Sequence, residues 1–567
     1  MNIRALGLLA LVFASLFSLP AQATPRWWEG AVIYEIYPRS FQDSDGDGVG
    51  DLSGIISRLD YLKTLGVDAI WLTPIYPSPQ VDFGYDVADY TNIDPQFGTL
   101  KDFDRLVAEA KKRGIRVLMD MVLNHTSDKH AWFLESMSSK DNPKRNWYVW
   151  NSGRAGKDGK RFPPNNWQSL FGHSAWTPAG ATSDLYYHFF YKQQPDLNWR
   201  NPEVEKAMFD AVRFWLDRGA AGYRFDAIDT LFEVTDLHDA KEGPGLNAYG
   251  DPAPDFTLQS KQPEVHDVMR RLRALADGYA GDRLFLGEVY TKSTSELVSW
   301  YGAKNDELHL TMDMELLPLD VDAASFRKAL EAAQTQLGGN MPLFVTDNHD
   351  QPRSWDRYGD GANNVAIARA VATMLLGTRS SVLLYYGQEI GMVTTAPTRV
   401  EDVKDPIGIT GWPKEKGRDG ERTPMQWDAT KSSGFTKGTP WLPVPPSAAT
   451  VNVEAQRKDQ ESLLGWYKKL IAMRRTNPAV RDGVTTFLDR DSQHAVVWLR
   501  AAKNGAPVVF AVNLKAEPVT LSVAADVAQG RVKGLKPLLV SHQALKSATP
   551  DAISLPPFGV YIGQIQR

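Results

Sequence analysis

Three carboxylate-bearing segments hold the chemistry most legible in this chain. They are Gly-Tyr-Arg-Phe-Asp at 222–226, Phe-Leu-Gly-Glu at 285–288 and Phe-Val-Thr-Asp-Asn-His-Asp at 344–350. Each runs an apolar, strand-like stretch into an acid at its carboxyl end, where an acid costs stability unless it is paired or working. One such segment alone reads as a buried structural acid. Three in order, with Arg224 two residues before one acid and His349 directly before another, read as a single site. Delivered to one rim, Asp226, Glu288 and Asp350 would share a pocket where two carboxyls can run glycosyl transfer and the third can hold the sugar.

Other residues could serve the same rim. Asp82-Phe83-Gly84-Tyr85-Asp86 offers an acid, Asp82, and a ring, Tyr85, able to bind and stack a terminal sugar. His125 ends the segment Leu118–His125, and the carboxyl end of a barrel strand is the face that carries function. A different chemistry belongs to Asp43, Asp45, Asp47, Val49 and Asp51, which set oxygen ligands at alternating positions among turn-forming glycines. That pattern suits a hard cation, a structural Ca²⁺ with Mg²⁺ as the alternative. It is not a complete EF-hand, because position 12 of that loop is Gly54 rather than Glu.

Elements that could position these groups recur along the chain. Apolar, β-branched runs at 32–37, 69–73, 117–122, 223–227, 284–289, 308–314, 343–346 and 382–386 alternate with amphipathic stretches at 52–65, 101–112, 203–218, 263–279 and 323–337. Strands alternating with helices imply a parallel sheet, and eight repeats imply closure into an α/β fold, the (β/α)8 TIM barrel. The barrel is expected over residues 24–124 and 200–481. Residues 125–199 are polar, aromatic and rich in Gly, Pro and Asn, and leave the third strand's carboxyl end as an inserted subdomain. A second excursion spans about 393–444, and the short alternating segments of 482–567 suggest a C-terminal antiparallel β-sandwich domain.

Size and composition agree with a large globular protein. The 567 residues exceed one ordinary core, and 43% hydrophobic residues with 17 Trp and 20 Tyr supply both core and rings for sugar faces. A net charge of −5 points to no nucleic-acid or anionic-membrane partner. Arg4, an apolar run to Phe17 and Ala21-Gln22-Ala23 read as a signal peptide over residues 1–23. The expected mature protein is exported and not membrane-inserted, periplasmic or else secreted. Zero cysteines exclude disulfides, thiol nucleophiles and thiolate metal sites.

Taken together, Asp120–His125, Gln194–Trp199, Gly222–Asp226, Gly287-Glu288, Asn348-His349-Asp350 and Arg422–Trp427 make a family resemblance that spans residue 27 to the C-terminus. The chain resembles the α-amylase family, glycoside hydrolase family 13, and within it the oligo-1,6-glucosidase/α-glucosidase subgroup. The resemblance implies Asp226 as nucleophile, Glu288 as general acid/base and Asp350 as the group that distorts and holds the sugar. Arg224 would keep Asp226 ionised, and Asp82, Tyr85, His125 and His349 would line the non-reducing-end subsite. Arg418 would pair with Asp82 behind the terminal glucose, with Arg422 the second choice, and Phe171 and Phe190 would wall the entrance. Ala227 stands where a bulky Val accompanies α-1,6 preference, so α-1,4 bonds of maltose and short maltooligosaccharides are expected, with transfer to hydroxyl acceptors. Tyr290 stands where subgroup members vary and bears on acceptor range. The rivals are an oligo-1,6-glucosidase, an isomerase-type transglucosidase on sucrose or maltose, and, remotely, a non-catalytic transporter ectodomain.

Overall fold

The computed structural model describes residues 26–156, 161–179, 182–291, 293–527 and 532–566. The signal-peptide reading of residues 1–23 lies outside them. Eight parallel strands close a barrel: β1 Val32–Ile36, β2 Ala69–Leu72, β3 Arg116–Val122, β4 Gly222–Asp226, β5 Leu284–Gly287, β6 Leu310–Asp313, β7 Leu343–Val345 and β8 Ser381–Tyr385. Neighbours in sequence are neighbours in space, and β8 closes on β1 through Val32–Val382 and Glu35–Tyr385 pairing. Every sequence-predicted strand is present, offset by no more than a few residues, so the TIM barrel stands.

Helices fill the outer ring where the five amphipathic stretches lie, at Leu52–Leu65, Leu100–Lys112, Pro202–Asp217, Glu264–Asp277 and Ala323–Thr335, and Asn364–Gly377 adds one that no such stretch marked. Their starts are set locally. Asp51 caps the first by accepting from Gly54 N, Thr99 and Asp102 form a capping box on the second, and Asn201 caps the third ahead of Pro202. Gly222 opens β4 at φ +146°, where a Cβ would sit 1.8 Å from the Leu284 carbonyl oxygen, so only glycine lets β4 and β5 approach.

Alternation along the strands sorts the barrel's two faces. Ile33, Trp71, Leu118, Leu284, Leu286, Leu310, Met312, Leu343, Val345 and Leu383 fill the lumen. Val32, Tyr34 and Ile36 face the helices. The lumen is therefore a packed apolar plug, and the same strand faces continue upward into the polar groups of the site.

Two excursions, one after β3 and one after β8, rise over the barrel's carboxyl face, and the second carries Arg418 and Arg422 to Asp350. Between β3 and the helix Pro202–Asp217, an inserted subdomain holds a three-stranded antiparallel sheet and a two-stranded one, around Trp167, Trp176, Tyr187, Phe189 and Phe190. After Asp482 the chain forms a five-stranded antiparallel sheet facing a two-stranded one, the C-terminal sandwich. Its strands Ala495–Ala501 and Val508–Asn513 press Trp498 and Phe510 (stacked at 4.9 Å) against Gly377 at the end of a barrel helix. Arg500, fully buried, donates to the Gly377, Val480 and Gly483 carbonyls, satisfying helix C-termini with a cation. Among the described residues no helix is long and apolar enough to cross a membrane.

Trp498 both packs on Gly377 and donates to its carbonyl at 3.1 Å. Trp498→Ala is expected to cost about 3–5 kcal/mol, read as a lowered urea midpoint. An unchanged midpoint would mean that the sandwich does not brace the barrel there.

Candidate active site

The lumen's apolar layers end in a polar layer contributed by the same strand faces. Glu35 of β1, Trp71 of β2, Asp120 of β3 and Arg224 of β4 are all buried, with Asp226 at the end of β4 and Glu288 just past β5. Arg224 is the hub. Its Nη1 donates to Asp120 at 3.0 and 3.1 Å and to Asp226 Oδ1 at 2.6 Å, and its Nη2 lies 2.6 Å from Glu288 Oε2. The guanidinium also sits 4.9 Å over the Trp71 ring, and Trp71 Nε1 donates to Asp120.

One buried cation facing three buried carboxyls leaves too little positive charge to keep all three ionised. Burial pushes Asp226 and Glu288 each up to about 7, against the opposing pull of Arg224, and Asp120 up to about 6 for the same reason. Asp226 and Glu288 therefore hold one proton between them near neutrality. Glu288 is further held by the Ala227 N–H at 3.2 Å and the Tyr290 hydroxyl at 3.1 Å. Ala227 itself takes a left-handed conformation, φ 38° and ψ 45°, a strained choice for a residue with a Cβ.

Asp350 has the opposite electrostatics. Burial alone would raise its carboxyl, but His349, Arg418 and Arg422 together hold it below the usual carboxylate range. Arg418 Nη1 and Arg422 Nη2 each donate to Asp350 Oδ1 at 2.9 Å. Arg418 also reaches Asp82 Oδ1 at 2.7 Å and Asp405 Oδ2 at 2.7 Å. No hydrogen bond or ion pair joins Arg422 to Asp82; its Nε instead donates to the His349 carbonyl. Gln194 bridges the same end, with its Nε2 3.1 Å from Asp82 Oδ2 and 3.0 Å from His125 Nε2. Tyr85 stacks on His349 at 5.3 Å and hydrogen-bonds to Asp120 and His349.

These groups surround one cavity of about 680 Å³. Asp82, Tyr85, His125, Phe171, Phe190, Asp226, Glu288, His349, Asp350 and Arg418 all line it, whereas Arg224 lies beneath its floor. Asp82, Gln194 and Arg418 meet on its lining, and Phe171 and Phe190, 5.7 Å apart, pack next to them with the Arg418 guanidinium 5.7 Å over the Phe171 ring. Asp120, Gln194 and Asp405 carry the network without having been singled out as site residues in the sequence. Asp229, likewise not singled out, lines the cavity and is pushed up to about 7 by burial. A lone acid inside the apolar run 117–122 was the signal for Asp120; nothing local marks Asp405, which meets Arg418 only through the fold of the loop after β8.

The sequence matches the family described as alpha amylase, catalytic domain, over residues 35–483. The chain belongs to the α-amylase family. The relatives place this glycoside hydrolase in the oligo-1,6-glucosidase/α-glucosidase subgroup. A probable alpha-glucosidase of Rhizobium meliloti is 37% identical over 552 residues, 95% of this chain and 97% of the relative. The oligo-1,6-glucosidase of Parageobacillus thermoglucosidasius is 38% identical across 85% of this chain and 90% of its own length. A crystal structure of an alpha-glucosyl transfer enzyme, 39% identical, superposes with a TM-score of 0.86 over 96% of this chain and 100% of that one.

Away from the cavity, the loop after β1 gathers acids. Asp43, Asp45 and Asp51 each offer a carboxylate oxygen, all within 4.8 Å of one another, and Asp43 and Asp51 are buried. This all-oxygen donor set fits a hard cation such as Ca²⁺ or Mg²⁺. Asp47 is outside that trio and accepts from Val49 N at 2.7 Å. Asp43 and Asp51 also accept from the loop's own N–H groups, Gly48 and Ser44 among them, so the turn is partly organised by its acids alone.

Should Asp226 and Glu288 be the reacting pair, the proton they share makes the glycosidase pH-dependent on both sides of neutrality. A second proton on the pair removes the anionic carboxylate, and loss of the last removes the acid. With both groups near 7, kcat/KM is expected to be bell-shaped with limbs on either side of about pH 7. Rates measured from about pH 4 to 10 check this, and a flat profile would count against the shared proton.

Proposed function

We propose that this hydrolase is a retaining, exo-acting α-glucosidase that releases glucose from the non-reducing end of maltose and short α-1,4-glucans. The observation that carries the reading is the single guanidinium of Arg224 spanning Asp226 and Glu288, 2.6 Å from each. In this reading Asp226 attacks the anomeric carbon as the glycosidic C–O bond breaks, and Glu288 gives its proton to the leaving oxygen. Water or another hydroxyl then attacks the same carbon and gives its proton to Glu288, and the Asp226 carboxylate departs. Two inversions retain the α-configuration. Transfer to a hydroxyl acceptor follows whenever the acceptor outcompetes water.

Asp350, kept ionised by its two arginines, would hold the hydroxyls of the glucosyl unit, with Tyr85, His125 and His349 around it and Arg224 fixing the nucleophile from below. The Asp82–Arg418 ion pair at 2.7 Å supports removal of single units, since a blind end leaves no room for further sugars behind the terminal one. Phe171 and Phe190 would wall the entrance. The methyl group of Ala227 beside Glu288 supports the α-1,4 preference. A β-branched residue there would both narrow the cavity and resist the left-handed backbone.

Asp43, Asp45 and Asp51 would hold a structural Ca²⁺ or Mg²⁺, with Asp47 and the Val49 carbonyl completing the set. That ion would tie down the loop after β1 and would take no part in bond cleavage. The pattern of residues 1–23, together with the absence of cysteine, supports export to the periplasm or the medium.

Asp226→Asn and Glu288→Gln are each expected to lower kcat on maltose by on the order of 10⁴-fold, with wild-type protein releasing α-glucose by polarimetry or NMR. β-Glucose as first product would remove the double-displacement reading. Initial rates on maltose and isomaltose decide linkage: faster isomaltose cleavage would make the protein an oligo-1,6-glucosidase and overturn the Ala227 argument. Chelation is expected to lower the thermal midpoint by about 2–5 °C, restored by Ca²⁺, while kcat well below that midpoint is unchanged. A midpoint indifferent to chelator and Ca²⁺ would remove the cation.

A further inference from the structure

Glu35 is a buried ionisable group that the double-displacement scheme leaves idle. It is fully buried on β1, on the same strand face as Ile33 of the lumen. Its Oε1 lies 2.6 Å from His349 Nδ1, and its Oε2 has no hydrogen-bond partner. Arg224, Asp350 and Asp120 act on it electrostatically, and Tyr385 is its register partner on β8.

The hydrogen bonds beyond His349 settle where a proton must be. The Tyr85 hydroxyl has one hydrogen and gives it to Asp120 Oδ2 at 3.0 Å. Toward His349 Nε2, 2.8 Å away, that hydroxyl can therefore only accept. The same Nε2 is 3.3 Å from Asp350 Oδ2, again an acceptor. A neutral ring protonated on Nδ1 toward an ionised Glu35 would turn a bare Nε2 at both, lone pair against lone pair. Nε2 must carry the hydrogen, so Nδ1 must meet a donor or share the pair's extra proton. Burial drives the Glu35 carboxyl well above its usual range and the His349 ring well below its own, which puts that extra proton on the carboxyl.

We propose that Glu35 is a positioning residue that acts through His349: a proton held on the Glu35–His349 pair fixes Nε2–H toward Tyr85 and Asp350. It thereby orients the run of hydrogen bonds from Tyr85 through Asp120 and Arg224 to Asp226. Its effect on rate rests on Asp226 being the nucleophile; the ring's protonation does not.

Two measurements test it. Glutamine keeps the shape and offers an N–H to Nδ1, whereas methionine offers none. Glu35→Gln is expected to keep kcat within about threefold, and Glu35→Met to lose on the order of 10- to 100-fold through misplacement of the site. A Glu35→Gln enzyme as slow as Glu35→Met, or a Glu35→Met enzyme as fast as wild type, would overturn the assignment. Should Glu35→Met fail to fold, ¹⁵N-histidine spectra of the wild-type protein decide without it. The His349 signals are identified by their loss in His349→Gln. A pyrrole-type Nε2, whether Nδ1 is bare or protonated, is the expected result, and a pyridine-type Nε2 overturns the proposal. That readout needs no substrate, so it stands or falls separately from the α-glucosidase reading.

Discussion

The site depends on one constraint: a single buried guanidinium serves more carboxyls than it can neutralise. Arg224 touches Asp120, Asp226 and Glu288, all buried, in a region where unshared negative charge is expensive. The shortage of positive charge retains a proton near neutral pH, and retaining a proton is what a general acid needs. Were a second cation placed beside Glu288, the pair would lose that proton.

Asp350 shows the converse a short distance away. Two arginines converge on its Oδ1 and keep it anionic, so neighbouring acids on one rim are held in different protonation states by how many cations each receives. Arg418 ties this second cluster to two further loops, because the same side chain pairs with Asp82 and Asp405. The charges on both sides of the cavity are thus set by shared side chains. The C-terminal sandwich packs on the barrel helix that ends at Gly377, and none of its described residues lines the cavity.

The barrel creates both clusters by repeating one rule. Alternation sends every second side chain of each strand into the lumen, and the lower positions fill it with Leu, Ile, Val and Met. The packed plug below fixes the depth and direction of Glu35, Trp71, Asp120 and Arg224 above. Loops leaving the carboxyl ends then bring Asp82, Gln194, Asp350 and Arg418 to the same space, and their aromatic neighbours narrow it.

The amino-acid sequence by itself determined the elements and the principal acids. Eight apolar runs became eight strands, the amphipathic stretches became the outer helices, and Asp226, Glu288 and Asp350 were readable as acids closing strand-like segments. Those features are local, since a period of two or of 3.6 residues and a cap or a glycine are written within a few positions. Glu35 and Asp120 were present in the text as lone acids inside apolar runs, but local pattern cannot say which strand will stand opposite. Their partners lie 314 and 104 residues away, at His349 and Arg224. Only closure of the barrel sets that register, and only the folded excursion after β8 brings Arg418 to Asp82, 336 residues distant. Protonation states were decided last, because burial and the count of neighbouring charges exist only once the chain has closed around them.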